Sequence, residues 1–269
     1  MTEVVPRIAV NVFKESVRDK VLYNLVLFAT LLIAASYLIG QLTAGQDIKI
    51  IKDLGLAATS IFGLFIAVFI GIGLVSKEVD RRSIYSLLTK PIRRAEFIVG
   101  KYLGLVLTLL VNVSAMTLAL YVVLGYMAWR AGGWMIPGWD RPALDPLLLE
   151  AIGLIFCQLM IITAVALFFS TFSTPMLSAA LTFGLYVVGQ FNADLRNFEN
   201  VIDSKPAIYL ARALYYLLPN LAPLDQKAEV VHGQGVPWMY MLLSAGYTLV
   251  YIAALLLGAV LIFSRRDFK

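Results

Sequence analysis

Few side chains in this sequence could do covalent or metal chemistry, and they are poorly placed for it. His232 is the single histidine and Cys157 the single cysteine, and no second His or Cys stands near either. A zinc-type site draws on several such ligands at short spacings, so this composition argues against one. A lone thiol also cannot form an internal disulfide. His232 lies beside glycines in a polar loop, where it makes no convincing hydrolytic pair with a serine. Gly100-Lys101 is followed by Tyr102 and lacks the upstream glycine of a phosphate-cradling loop. Asn112-Val-Ser114 fits a glycosylation pattern but falls inside an apolar run. Within the apolar runs the only acid or base is Glu150, near one end, where its carboxylate can reach water. A proton-driven carrier is expected to keep buried Asp, Glu or His as a relay. Any energy source is therefore expected outside this chain.

What the sequence does concentrate is charge. Residues 76–101, SKEVDRRSIYSLLTKPIRRAEFIVGK, hold Lys77, Arg81, Arg82, Lys90, Arg93, Arg94 and Lys101 between two strongly apolar runs. The stretch also has helical grammar. Ser83 can act as an N-cap, accepting a hydrogen bond from an unpaired N–H of the first turn. Ile84, Leu87 and Leu88 recur at i, i+3 and i+4 and give a short apolar face. Pro91 lacks an N–H and disfavours helix at Lys90, so the helix is expected to stop there. A short capped helix held between two membrane spans is a handle that another protein could grip, with Glu78, Arg81 and Arg82 as its polar rim. The alternative is that the apolar residues rest on the membrane surface while the basic ones fix topology.

The elements that must hold this handle are membrane spans. The chain has 269 residues, 60% of them hydrophobic and only 14% charged, with a mean hydropathy of +0.83. Soluble domains carry about a quarter charged residues, so these values mark an all-α integral membrane protein. Six runs approach the roughly 20 apolar residues that cross a bilayer: 21–42, 54–75, 102–124, 147–169, 176–190 and 239–263, the fifth being short. All ten prolines fall at edges or in loops. No cleavage pattern of small residues follows the first run, which reads as a retained span. Before it, 6–20 is charged yet periodic, with Ile8, Val12 and Phe13 on one side, and reads as an amphipathic interfacial helix. A frayed basic tail is the other reading. Residues 207–218, AIYLARALYYLL, are too few to span and are expected to form an outer-surface helix.

Charge sets the orientation. Most of the 22 basic residues lie in the N-terminal segment, the 76–101 loop and the C-terminus, where Arg265, Arg266 and Lys269 stand. Both termini and the central loop are therefore expected in the cytoplasm. Trp129, Trp134, Trp139 and Trp238 all fall at the other face, as an interfacial aromatic belt would. Along the second span Gly55, Thr59, Gly63, Ala67 and Gly71 repeat every fourth residue. In lipid, small residues let helix backbones approach. The stripe is either a subunit contact, or wall of a translocation path, or packing against a neighbour in the same chain.

This layout resembles the membrane subunit of an ATP-binding-cassette exporter, of the permease class with an N-terminal interfacial helix and six spans. Members show a glutamate after the second span, then Gly-Thr, Leu-Leu, a proline, and Gly-Lys before the third span. Glu78, Leu87-Leu88, Pro91 and Gly100-Lys101 match in order, and Arg82-Ser83 replaces Gly-Thr, keeping the hydroxyl. The closing FSRRDFK, 263–269, also looks like the family's cytoplasmic end. The resemblance covers nearly the whole chain and implies one permease domain over 1–269 in a prokaryotic inner membrane. It further implies pairing with a second copy or a paralogue above two ABC ATPase subunits, which would bind ATP and Mg and dock on the 83–90 coupling helix. This chain itself would carry no cofactor, no metal and no catalytic residue. A non-transporting membrane anchor for an ATPase-driven assembly fits the same handle; a self-sufficient membrane enzyme or secondary transporter is opposed by the missing intramembrane polar cluster.

Overall fold

The computed structural model describes residues 4–42, 47–80, 93–130, 143–191, 209, 215 and 218–265, with backbone only at 47, 74–80 and 265. The main elements are α1 Val4–Val17, α2 Lys20–Gln41, α3 Asp47–Asp80, α4 Arg94–Arg130, α5 Leu147–Ser170, α6 Pro175–Gln190, a 3-10 turn Ala222–Leu224, α7 Lys227–Val231 and α8 Trp238–Arg265. There is no strand among the described residues. The outer-surface helix expected over 207–218 lies almost wholly outside the described residues.

Local chemistry sets several ends. Asp19 stands in extended backbone before α2 and accepts the Val21 N–H at 3.0 Å, which separates α1 from α2. Pro175 occupies the first turn of α6, where its missing N–H is no loss. At the start of α4, the Glu96 carboxylate reaches back to accept the Arg93 N–H at 3.3 Å, one half of a capping box.

Five helices are long and apolar enough to cross a membrane: α2, α3, α4, α5 and α8. The sequence places six, and the difference is α6. Its 16 residues rise about 24 Å, short of the roughly 30 Å hydrocarbon core, so it is a shorter apolar helix by this measure. Two other helices exceed their expected bounds. α3 has 34 residues and α4 has 37, or about 51 and 55 Å at 1.5 Å per residue. Charges at their ends suggested loop, yet those charges lie on continuous helix.

The centre of the bundle is α3 and α5, with 67% of their most apolar windows buried, against 22% for α2 and α8. α5 explains itself: Ala151, Leu154, Ile155, Leu159, Ile161, Ile162 and Ala164 to Leu167 are all buried, so it is apolar on nearly every face. It packs on α3, α8, α4 and α6, while α2 lies against α3 and α1 lies along α4. The outer helices turn large apolar side chains outward, such as Phe28 and Leu38 on α2 and Val250 and Leu257 on α8. An apolar outside around an apolar inside is what lipid allows and water does not.

Candidate functional site

The helices give the bundle two chemically distinct ends. At the basic end, α3 finishes and α4 begins, on either side of the undescribed 81–92 segment. The Arg94 guanidinium donates through Nη1 to the carbonyls of Phe263 at 2.9 Å and Ser264 at 2.8 Å. A cation on the orphan carbonyls of a helix C-terminus is favoured both by hydrogen bonding and by the helix dipole. Phe97 stacks on Phe263 with centroids 6.1 Å apart, and the Lys101 ammonium stands 4.6 Å over the Phe97 ring. The end of α8 is thus fixed to the first turns of α4. Tyr102 adds a bond to the Met160 carbonyl of α5 at 3.3 Å.

The same turns of α4 receive α1. A Cβ added at Gly100 would lie 2.8 Å from Ile8 Cβ, and one at Gly104 would lie 2.6 Å from the Ala9 carbonyl oxygen. Both glycines are therefore contact surfaces, with backbone meeting backbone at Gly104. Ala9 and Val12 of α1 are buried in this contact. Of the handle itself, Glu78 lies on the last turns of α3, with its backbone alone described. Arg81, Arg82, Ser83, Ile84, Leu87, Leu88 and Pro91 lie outside the described residues.

The small-residue stripe of α3 faces neighbours within the chain. Cβ atoms added at Gly55 and Gly63 would lie 2.3 Å from Leu120 of α4 and 2.4 Å from Leu159 of α5. At Gly71 the obstacle is Ala166 Cβ, at 2.7 Å. Thr59 is fully buried and returns its hydroxyl to the Gly55 carbonyl at 2.9 Å, and Ala67 is buried too. A leucine side chain can swing away from an added methyl; an alanine Cβ cannot, because it has no rotamer. Gly71→Leu is therefore expected to separate α3 from α5 and lower thermal stability by about 1–3 kcal/mol, more than Gly63→Ala does. Size-exclusion profiles with unchanged oligomer size beside a lowered melting temperature would fit packing inside one chain; loss of the oligomer at unchanged melting temperature would fit a subunit contact.

The opposite end holds polar contacts that sequence reading missed, some of them made by Glu150 and His232, which it had singled out. Lys52 and Asp145 pair at 3.2 Å with side chains only 1% and 4% exposed. Asp145 also accepts the Leu147 N–H at 3.1 Å, and its carbonyl accepts the Tyr121 hydroxyl at 2.9 Å, so α3, α4 and α5 meet there. Glu150 accepts the Val236 N–H at 2.8 Å and holds the approach to α8. His232 faces the Ala228 carbonyl with Nδ1 at 2.7 Å, so Nδ1 carries the proton and Nε2 accepts from Lys49 at 3.0 Å. Trp129 and Trp238 project from this end, strongly exposed, while Trp134 and Trp139 lie outside the described residues. Deep in α5, Gln158 is 1% exposed, and neither atom of its amide has a partner among the described residues. A bare buried amide is costly. A search for ionisable groups alone passes over it.

A basic loop between two over-long helices, an amphipathic first helix and an otherwise apolar bundle agree with a comparison of the whole chain. A family model described as ABC-2 family transporter protein matches residues 7–268. The chain belongs to the ABC-2 transporter family. No curated protein was found to match it. The family match runs from within α1 to beyond α8, so every described element except the first turn of α1 belongs to the ABC-2 region. As an ABC-2 permease the chain is a multi-pass membrane subunit of an ABC transporter, and not itself the catalyst of a reaction. In this ABC-2 permease the Gly100-Lys101 pair has a physical purpose: Gly100 admits α1, and Lys101 is buried beside Phe97.

Proposed function

We propose that this chain is the permease of an exporter powered by separate ATPase subunits, which bind ATP and Mg and dock on the 83–90 segment. In this reading two permeases, identical or related, form the membrane unit. The basic end faces the cytoplasm of a prokaryotic cell, and α6 supplies the sixth crossing through a locally thinned bilayer. The observation that supports it best is the reach of α3 and α4, about 51 and 55 Å against a core of about 30 Å. Stiff helices of that length carry a push on the segment joining them into the bundle. The push is not absorbed at the joint, because α4 begins bolted to α8 by Arg94 and to α1 by Gly100 and Gly104.

Ile84, Leu87 and Leu88 would seat in an apolar groove of the ATPase, since buried aliphatic anchors dominate such contacts. Glu78, Arg81, Arg82 and Ser83 would set orientation more than affinity, and Pro91 would end the helix. The test is co-purification and ATPase rate. Leu87→Asp is expected to release the ATPase or uncouple hydrolysis, with at least a tenfold loss of bound partner, while the permease stays inserted and folded. Arg81→Glu is expected to weaken binding less and in a salt-dependent way. Normal binding and coupling in Leu87→Asp would move the contact to the 171–174 turn between α5 and α6.

A further inference from the structure

We infer that the groove between α4 and α5, in the half of the membrane away from the basic end, holds a lipid acyl chain as a fixed ligand. Its walls are Leu110, Thr117 and Tyr121 of α4 and Leu149, Ile152 and Phe156 of α5. Among the described residues no charged side chain lines it, and the flanking turns of α4, α5 and α8 are all described. A cleft so apolar suits an apolar ligand.

The groove is built into the helix pair rather than left by loose packing. At its outer end the Tyr121 hydroxyl donates to the Asp145 carbonyl at 2.9 Å, just before α5 begins. Beyond its other end the Tyr102 hydroxyl donates to the Met160 carbonyl of α5 at 3.3 Å. The two helices are thus pinned above and below, and part between the pins. The space comes from two small residues, Ser114 on α4 and Gly153 on α5, among leucines and an aromatic ring. A Cβ added at Gly153 would meet only Met241 Cε, at 3.8 Å, an ordinary contact. Gly55, Gly63 and Gly71 admit a neighbouring helix; Gly153 instead leaves room.

Size selects the occupant. From Leu110 to Tyr121 the helix rises about 16.5 Å, about half of the roughly 30 Å hydrocarbon core and so the depth of one leaflet's chains. A volume of about 610 Å³ spread over that length leaves a cross-section of about 37 Å². A helix about 10 Å across fills about 80 Å², so a span of a second permease is too thick for the groove, whereas an extended run of methylenes is not. Leu110, Leu118 and Leu149 stand exposed along the rim. The groove therefore opens sideways into lipid, and a chain enters without passing Tyr121. Once seated, it gives the groove lining the dispersion contacts that a void withholds. Nothing in this inference depends on the direction of transport or on the ATPase.

The test places the full-length chain in lipid nanodiscs containing a phosphatidylcholine with a diazirine midway along one acyl chain. The discs are dissolved in mild detergent and free lipid is removed; only then is the sample illuminated and the labelled peptides mapped. Labelling of 110–121 and 149–156 is expected to survive this wash and to exceed that of the exposed α2 face around Phe28 and Leu38 at least tenfold. Ser114→Trp, at an exposed position, fills the groove from α4, and Gly153→Leu fills it from α5. Each is expected to bring groove labelling down to the α2 level with little change in melting temperature. Wild-type labelling of the groove no higher than that of α2, or undiminished labelling in the folded variants, would overturn the assignment. Absent labelling joined to loss of the oligomer in Ser114→Trp would overturn it too, giving the groove to a second permease copy.

Discussion

Lys52→Met is expected to destabilise the bundle by about 3–5 kcal/mol, the largest single effect among these substitutions. The reason is what it leaves behind. Asp145 is 4% exposed on its side chain and faces Lys52 at 3.2 Å, so removing the ammonium strands a carboxylate away from water. Asp145→Asn is expected to be harmful for the reciprocal reason, though the asparagine oxygen can still accept the Leu147 N–H that Asp145 Oδ1 takes at 3.1 Å. Together the two changes remove both charges and keep that bond. Lys52→Met/Asp145→Asn should therefore recover most of the lost stability, because the attraction of a buried pair mainly offsets its own desolvation. Thermal unfolding of the four proteins in mild detergent reads this directly. The pair should also resist added salt, which screens exposed charges far better than buried ones. Single variants each losing under about 1 kcal/mol would mean that water reaches the pair.

How much of this was readable in advance follows from what each residue announces. Apolar runs of 20 or more announce themselves by length, and the helices over 20–41, 147–170 and 238–265 fall close to the expected 21–42, 147–169 and 239–263. The starts of α3 and α4 do not fall so close. Lys49, Lys52 and Asp53 looked like loop, as did Arg94, Glu96 and Lys101, because hydropathy counts charges against a span. Helices, however, continue wherever their backbone is satisfied, and Lys52 found Asp145 only through a contact 93 residues away in sequence. No local pattern encodes that. Glycines are a middle case. The four-residue repeat on α3 signals close approach, but its partners, Leu120, Leu159 and Ala166, are named only by the fold. Gly100 and Gly104 form the same motif on α4 at the edge of an apolar run; sequence reading takes Gly100 as half of a Gly-Lys pair, not as a point of close helix approach, and does not single out Gly104. Of the handle, sequence gives cap, stripe and stop, and the flanking helices are the part that the structure supplies.

Gly104→Leu is expected to expel α1 from its seat on α4, and it distinguishes a structural α1 from a decorative one. The geometry leaves little slack. An added Cβ would stand 2.6 Å from the Ala9 carbonyl oxygen and 2.7 Å from Val12 Cβ. A side-chain obstacle can rotate away; the Ala9 carbonyl belongs to the backbone of α1, so the whole helix must move. Overpacking of this kind costs about 1–3 kcal/mol where a neighbour can relax, and more where it cannot. Gly184→Ala and Gly246→Ala serve as controls, since no described atom lies within 4 Å of a Cβ at either position; both are expected to be neutral, or slightly stabilising through better helix propensity. Trimming the partner helps only in part: Val12→Ala removes Cγ1, also 2.7 Å from a Cβ at Gly104, and leaves the Cβ of residue 12 and the Ala9 carbonyl in place. A cysteine placed at Ile8, which packs over Gly100 at 2.8 Å from an added Cβ, reports the movement through its reaction with a water-soluble thiol reagent. In the Gly104→Leu background that cysteine should react at least tenfold faster. If it does, and the ATPase still binds while its hydrolysis no longer follows substrate, then α1 is the brace that makes the start of α4 rigid enough to transmit a push. If it reacts faster with coupling intact, α4 carries the push alone, with Arg94 and the end of α8 as its remaining anchor.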